Sequence, residues 1–585
     1  MPWPPPSSLP TSPFPNRAVA AAAAVASTLL TPGSWTLDRL LALLLPTTAQ
    51  RARWRRRRAR PWVAVTTRVL ATPALLLALV LALPATLLGF LVWLPVQAKR
   101  RPVVCHRDPA AVTPGPWDAR RARGFTVVTA NVCLLPSGMA RFSNLGRTRR
   151  RAEVIGGMAA GEGSGWREGL LEGRRGEGRD YGGVGGATGE GWGGGGTVGG
   201  TAALVGDGVT WLEMGMANPT LMVNPTPPAP VTNPTPVTNP WPTADSVPAL
   251  ESPMTNPTPV TNPAPPTPLP PERPIPLPDP MPPVLTTHLP PDADLLCLQE
   301  VFDGAAAAAL LRRLGRRFPH VLWGVGPGGL RGGRLKVMGS GLMVASRWPV
   351  PAARFHAFPV AAREDALANK GLLAAQVLLG TRQGRRVVGY LGCTHLQAPA
   401  GDVTIRDAQL SLSLRWLRDF RRDQQRPGDL VAFDVLCGDL NFDNCSLGDA
   451  QNQRHPLFQE FWDPAQRQPG RDQPWAIGTL LDYLKIYEEP VSSPERMERT
   501  LSDPRGRAQF LAGPLPPCDP SVTPVTPPAT PATQPWQGRR VDRVLLRRDP
   551  EMATEVTGYS VITQLATLSD HLPVALRLRL GPADL

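Results

Sequence analysis

Five apolar runs in this 585-residue chain meet groups that can do chemistry. FTVVTA runs into Asn131, LLCLQ into Glu300, VVGYLGCT into His395, and VLCG into Asp439 and then Asn441. Ser569, Asp570 and His571 precede the last run. Asn131 and Glu300 offer oxygen, and no Cys/His cluster with metal spacing accompanies them. Oxygen donors with few protein contacts suit Mg2+, or Mn2+ in its place, because such an ion keeps waters and takes substrate phosphate into its shell. It would neutralise charge on a phosphoryl oxygen and polarise phosphorus. Histidine ordinarily titrates at about 6.5, so His571 is suited to take a proton from water. A carboxylate must fix the tautomer of that ring. Asp570 is adjacent in sequence, and Asp439 or Asp542 could serve as well. His395 could stabilise or protonate a leaving oxygen. Taken alone, a strand-end Asn is usually a turn residue. It is the set that points to phosphoester hydrolysis.

The runs that would position these groups are LLCL (295–298), GLMVA (341–345), RVVGYLGC (386–393), LVAFDVLC (430–437), VDRVLL (541–546) and PVALRLRL (573–580). Their length and β-branched content predict strands. Buried strands deliver their terminal residues to the rim of a sheet, where loops carry function. Between them, 402–420 places Ile405, Ala408, Leu412, Trp416 and Phe420 at helical spacing, and AAAAALLRRL at 305–314 is a strong helix former.

Composition limits the rest. Proline and glycine number 71 and 56, well above ordinary usage of about 12% for the two together. Glycine crowds 156–208 and proline crowds 217–292, where TNPTPVTNP occurs at 232–240 and again at 255–263. Residues 157–292 therefore read as a low-complexity stretch without chemistry, either a flexible insert or retained non-coding sequence. A second proline-rich patch, 514–536, reads as a surface loop. The expected organisation is 1–104 hydrophobic and Arg-rich, 105–156 and 293–580 globular. The seven cysteines form no CxxC pair, and several sit in apolar runs; a reducing compartment fits them better than a disulfide framework.

Charge is concentrated at the start. The formal net charge is +15, and residues 1–101 hold thirteen Lys/Arg against one acid, Asp38. The remainder is nearly balanced, which argues against a nucleic-acid-binding body. Arg51, Arg53, Arg55, Arg56, Arg57, Arg58 and Arg60 stand beside thirty uncharged residues between Arg68 and Lys99. A spanning helix needs about 20. Pro73, Pro84 and Pro95 interrupt the run, so a kinked span and a re-entrant hairpin are both open. The arginines would bind anionic lipid such as phosphatidylserine or cardiolipin. The opening MPWPPPSSLP, with its first cation at Arg17, argues against a signal peptide, while an acid-poor, Arg-rich leader also suits mitochondrial import.

TANVCLLP (129–136), CLQEVFD (297–303), GCTHLQAP (392–399), CGDLNFDN (437–444) and LSDHLPVA (568–575) resemble the motifs of the endonuclease/exonuclease/phosphatase superfamily. ARFSNLGRTRRRAEVIG (140–156), PWAIGTLLD (474–482) and GRRVDRVLL (538–546) narrow the resemblance to the large, membrane-attached neutral sphingomyelinases. The resemblance covers about 105–156 and 293–580, plus the two hydrophobic segments of the N-terminus. It implies a four-layer α/β sandwich, two packed mixed β-sheets flanked by helices. The implied reaction is Mg2+-dependent hydrolysis of sphingomyelin to ceramide and phosphocholine.

By motif, Glu300 would be the principal metal ligand with Asn131 beside it, and His571 the general base. Asp439 and Asn441 would orient water and bind phosphate, His395 would face the leaving group, and Asp570 would support the metal or His571. Asp365 and Lys370, in DALANKG, resemble the family's Asp–Lys switch; on the residues alone they make a surface ion pair. GGLRGGRLKVMGSG (328–341) lacks the cysteine pair that relatives carry for lipid attachment. The resemblance and the Arg cluster together imply sphingomyelin as substrate and stimulation by anionic phospholipid. The catalytic domain would face the cytosol on a Golgi, plasma, endoplasmic reticulum or mitochondrial membrane. The competing readings are another phosphoesterase of the superfamily, an inositol phosphatase or nuclease, and an inactive membrane scaffold.

Overall fold

Leucine and alanine dominate the first hundred residues, which form three helices, α1 (Arg17–Leu44), α2 (Thr48–Arg56) and α3 (Pro61–Lys99). Asn16 caps α1 by accepting from the Val19 N–H at 2.9 Å. The prolines expected to interrupt the long apolar run lie inside α3 without ending it. The two long helices run antiparallel, with Gly33 against Thr86, Gly89 against Leu29 and Leu30, and Ala26 beside Trp93. A Cβ on Gly33 would fall 2.3 Å from Thr86 Oγ1, and one on Gly89 2.8 Å from Leu29 Cβ. Small residues that let backbones approach this closely are the usual means of helix packing in lipid. Elsewhere α3 exposes Leu77, Val80, Leu81, Leu88 and Leu91. Both helices are long and apolar enough to cross a membrane.

The computed structural model describes residues 3–4, 7–56, 61–162, 277, 284–517, 536–549 and 551–582, with only the backbone of 55–56 and 61–68. Most of the expected insert, most of the 514–536 loop, and Arg57, Arg58 and Arg60 lie outside these residues. The described residues belong to one unit; a second, Glu213–Arg273, is outside them.

Two sheets follow the helices. The first contains β1 (Val104–Arg107), β2 (Arg123–Asn131), β3 (Leu285–Thr286), β4 (Leu295–Gln299), β5 (His320–Trp323), β6 (Met343–Ser346), β13 (Thr554–Ile562) and β14 (Val574–Leu580). The second contains β7 (Ala352–Ala357), β8 (Gly371–Arg382), β9 (Arg385–His395), β10 (Leu430–Asp439), β11 (Phe461–Trp462) and β12 (Asp542–Arg547). The strand orders are β1-β5-β6-β4-β2-β14-β13-β3 and β11-β12-β10-β9-β8-β7. Each is mixed: β2 and β4 are parallel, as are β9 and β10, and most other pairs are antiparallel.

Period-two alternation sorts the side chains into layers. Phe125 and Val127 of β2 join the core between the sheets, with Leu391 and Cys393 of β9 and Val435 and Cys437 of β10. Val128 and Ala130 face the other way, onto α4 (Thr148–Ala160) and α5 (Gly304–Leu314). Val388, Tyr390 and Leu436 do the same against α6 (Val403–Gln424). The result is the expected sandwich of helix, sheet, sheet and helix. One detail differs. The buried stripe of α6 runs through Leu410, Leu414 and Leu417, while Leu412 and Trp416 are only half-buried. Arg406 and Gln409 share the buried face because the former bonds Asp449 and Asn452, and the latter the Gln397 N–H and the Val360 carbonyl. A polarity pattern cannot place a stripe that contains satisfied polar groups.

The helical pair is bonded to the sandwich at two levels. Gly138 N–H donates to the Asp38 carboxylate, and Arg141 Nη1 donates to the Leu45 carbonyl (3.0 Å) and to Gln50 Oε1 (2.7 Å). Nearer the end of α3, Arg331 Nη2 donates to the Gln97 carbonyl at 2.7 Å.

Candidate active site

Strand register gathers the polar termini. His395 lies opposite Asp439 on β9 and β10, and Asp439 lies opposite Asp542 on β10 and β12. All three continue the inward parity of the residues below them, Cys393, Cys437 and Val544. From the other sheet, Asn131 continues the parity of Val127 at the end of β2, beside Gln299. Glu300 leaves β4 through a left-handed backbone (φ 60°), and Asn441 and Cys133 do the same (φ 56° and 46°). For Glu300 and Cys133 this costs roughly 1–2 kcal/mol, whereas an asparagine adopts it more readily. Strain of this kind collects where function needs a side chain turned against its strand.

One network joins the two sheets. Asn131 Nδ2 donates to Glu300 Oε1 at 2.8 Å and to Asp439 Oδ2 at 2.9 Å. Its Oδ1 is turned the other way and accepts from the Cys133 N–H at 3.0 Å. Asn131 therefore bridges the carboxylates through its nitrogen; presenting oxygen to an ion would require the amide to turn over. His571 Nδ1 lies 2.8 Å from Asp542 Oδ2, and its Nε2 lies 3.9 Å from Asp439 Oδ2. His395 Nε2 lies 3.7 Å from Asp439, 3.9 Å from Glu300 Oε1 and 3.1 Å from Lys370 Nζ. Lys370 also pairs with Asp365 at 2.7 Å, and Asp365 accepts from the Ala398 N–H at 2.6 Å. The Asn441 N–H donates to Asp439 Oδ1 at 2.9 Å, and its side-chain nitrogen to the Leu396 carbonyl.

Electrostatics divides these groups. Burial, and Asp570 nearby, push Glu300 up to about 7. Burial pushes Asp542 up to about 6 against the pull of His571. Burial would also raise Asp439, yet His571 and His395 beside it hold it below the ordinary range. For His571, burial opposes the charged ring, but Asp542 and Asp439 outweigh it and hold the ring's pKa well above normal. For His395, burial and Lys370 together lower it to about 3. The imidazole of His395 is thus neutral, and its Nε2 accepts from Lys370.

The sequence-predicted residues Asn131, Glu300, His395, Asp439 and His571 come together here. Asn441 borders Asp439, and Asp365–Lys370 reaches the cleft through His395. The histidine's carboxylate is Asp542, not its neighbour Asp570. Asp570 lies on the Glu300 side, and its Oδ1 is a buried oxygen without a hydrogen-bond partner. Of the arginines expected to bind anionic lipid, Arg51 and Arg53 are exposed on α2.

Arg151 is the residue that sequence reading missed. It is 2% exposed, and its guanidinium donates to the carbonyls of Val132 (3.2 Å), Cys133 (2.7 Å), Gly146 (3.0 Å) and Leu568 (2.6 Å). It fastens the loop after Asn131 to the loop before His571. The signal was an arginine four residues before Ile155 on the apolar face of α4. Ser569 adds a second tie, donating to the Asn131 carbonyl at 2.7 Å. Thr479 Oγ1 accepts from the Asp542 N–H at 3.1 Å.

The donor set fits a divalent cation. Glu300, His395 and Asp439 bring ligand atoms within 4.8 Å of one another, and so do Asp439, Asp542 and His571. Several carboxylates crowd a buried space with two unpartnered oxygens, Asp542 Oδ1 and Asp570 Oδ1, a costly arrangement without a positive charge. Glu300 keeps 18% of its side chain exposed, so the site is open to solution.

Comparison with known proteins identifies the family. Residues 18–99 match the neutral sphingomyelinase N-terminal transmembrane region, and 283–571 match the endonuclease/exonuclease/phosphatase family. Sphingomyelin phosphodiesterase 5 of Danio rerio is 36% identical over 98% of this chain and 98% of its own. Sphingomyelin phosphodiesterase 3 of Rattus norvegicus is 34% identical over 98% of this chain and 99% of its own. Among solved structures, sphingomyelinase C of Streptomyces griseocarneus aligns with 49% of this chain and 86% of its own, at 20% identity and a TM-score of 0.30. With its N-terminal membrane region and its phosphoesterase sandwich both in place, the chain belongs to the neutral sphingomyelinases, membrane-attached members of the endonuclease/exonuclease/phosphatase superfamily.

Proposed function

We propose that this protein hydrolyses membrane sphingomyelin to ceramide and phosphocholine with the help of Mg2+, or Mn2+ in its place. The observation that carries the reading is the meeting of Glu300, Asn131, Asp439, His395 and the His571–Asp542 pair in one cleft on a chain of this family. Glu300 would hold the cation, with Asp570 behind it and Asn131 fixing the two carboxylates. Once bound, the cation neutralises phosphate charge and polarises phosphorus. His571, oriented through Nδ1 by Asp542, takes a proton from the attacking water at Nε2. Asp542 and Asp439 hold the pKa of that ring above normal in the ion-free site, and a cation beside Asp439 would lower it. Asp439 and Asn441 orient water and phosphate. His395 faces the leaving oxygen, and Lys370 is the donor nearest to it. Asp365 and Lys370 act as the switch: the ion pair holds Lys370 at His395, and its rearrangement would release that contact.

A bilayer-attached phosphodiesterase meets lipid head groups at high effective concentration. The Arg cluster at 51–60 supplies attraction to phosphatidylserine or cardiolipin of about 1 kcal/mol per basic residue near the surface. The active site faces the cytosol in this reading. The deciding assay offers the purified full chain sphingomyelin micelles, an inositol polyphosphate and plasmid DNA side by side. Phosphocholine release alone is expected. Inorganic phosphate or nicked plasmid would move the protein to another branch of the superfamily, and no product at all would make it a scaffold. Changing the seven arginines to Gln should remove stimulation by phosphatidylserine while sparing activity on micelles that lack it.

A further inference from the structure

The outer edge of the second sheet carries a cavity of about 450 Å³ that shares no lining residue with the cleft. It is lined by residues of two short helical turns, Ala450–Gln453 and Leu457–Glu460, of β11, and of a small hairpin, Gln466–Gln468 with Arg471–Asp472. These pieces are fastened to one another. β11 pairs with β12, the Arg548 N–H donates to the Glu460 carbonyl at 2.8 Å, and the Arg548 guanidinium donates to the Phe458 carbonyl at 3.3 and 3.2 Å. Gln453 Nε2 donates to the carbonyls of Asp443 (3.2 Å) and Ser446 (2.7 Å), and Asn444 Nδ2 to the Gln468 carbonyl at 2.9 Å. The walls are thus held in place before any ligand arrives, which lowers the cost of binding.

The lining has a definite chemistry. Arg454, Arg467 and Arg548 bring three guanidinium groups. The one acid, Asp463, is buried and committed to Arg540 at 2.8 Å. The cavity is therefore positive, and guanidinium groups suit phosphate oxygens. Phe458 and Trp462 are half-buried there, and Gln459 and Gln468 are exposed. An inorganic oxyanion has no use for two aromatic rings. A nucleotide uses the whole set: its phosphates meet arginines, its base stacks on a ring, and the base edge finds amide donors and acceptors. The volume is that of an ordinary small-molecule site. The location favours a soluble ligand. The helical pair is tied to loops of the first sheet, at Gly138 and Arg141 after β2 and at Arg331 between β5 and β6, whereas β11 is the outermost strand of the second. We propose that this cavity binds a nucleoside di- or triphosphate, with the base against Trp462 and Phe458 and the phosphates on Arg454 and Arg467. The inference does not depend on the proposed reaction, because no group of the cleft takes part.

The test is isothermal titration of the full chain in phosphatidylcholine nanodiscs, with chelator present so that the cleft stays free of metal. The probes are ADP, pyrophosphate and adenosine. ADP should bind one to one, and pyrophosphate and adenosine should each bind about tenfold more weakly or worse, since each lacks one half of the contacts. Arg454→Gln with Arg467→Gln should weaken ADP by about tenfold, and so should Trp462→Leu, which keeps apolar bulk and removes the ring. Both arginines are exposed, so their double variant should keep the Tm of the unsubstituted chain and decides the matter if Trp462→Leu is unstable. Changing the seven arginines at 51–60 to Gln should leave ADP binding as it is. No heat with ADP would overturn the proposal. So would pyrophosphate binding as tightly as ADP, which marks a plain polyanion site, or ADP binding that survives the double variant and is lost in the seven-arginine one.

Discussion

The two ends of the cleft hold the same residue in opposite states. At one end His571 stands against Asp542 and Asp439; at the other His395 stands against Lys370. Both rings are buried, 6% and 2% exposed, and burial alone disfavours the charged form of each. At His571 two carboxylates outweigh burial and hold the ring's pKa above normal in the ion-free site; at His395 burial comes first and the ammonium of Lys370 adds to it. In the proposed reaction one ring moves protons and the other meets the leaving oxygen, and the fold would suit them to these tasks by pairing one histidine with acids and the other with a base.

The strongest way to test that contrast is to remove each ring. His571→Ala should lower kcat for phosphocholine release by about 10³-fold, within the range of a lost general base. His395→Ala should cost at least tenfold less. Equal losses would erase the distinction between the ends. Next in size is Asp542→Asn, expected to lower kcat by about 10²-fold. In a histidine NMR titration of the ion-free protein it should bring the His571 pKa down towards the ordinary range while leaving His395 neutral. Lys370→Met should have a smaller effect on rate, about tenfold, together with a lower Tm, because Asp365 is left buried with only the Ala398 N–H.

The smallest effect is a pH dependence of metal binding. Glu300 is pushed up to about 7, so below that pH an incoming cation must displace a proton, and above it the carboxylate is already free. The rise in Tm on adding Mg2+ should therefore be larger at pH 8 than at pH 6. Glu300→Gln should abolish most of that rise and its pH dependence.

Much of this cleft was legible because a buried strand advertises itself twice, by its apolar run and by the polar residue that ends it. Asn131, Glu300, His395 and Asp439 were read in that way and His571 from the residues that precede the last run, and the sheets followed from the same runs. The partner of His571 was not settled, because Asp542 reaches it through the pairing of β10 with β12, a contact between positions about a hundred residues apart in the chain. Arg151 was missed for a related reason. Its value lies in backbone carbonyls of two loops that only the folded chain brings together. The buried face of α6 was displaced because satisfied polar groups sit among its leucines.

The most direct measurement is phosphocholine release by the full chain from sphingomyelin micelles, with Mg2+ and with a chelator, for the unsubstituted protein and for Glu300→Gln. Turnover that needs added Mg2+ and falls by about 10³-fold or more in Glu300→Gln is the predicted result. Release that continues undiminished in chelator, or that survives Glu300→Gln, would contradict the claim that these side chains act around a single cation.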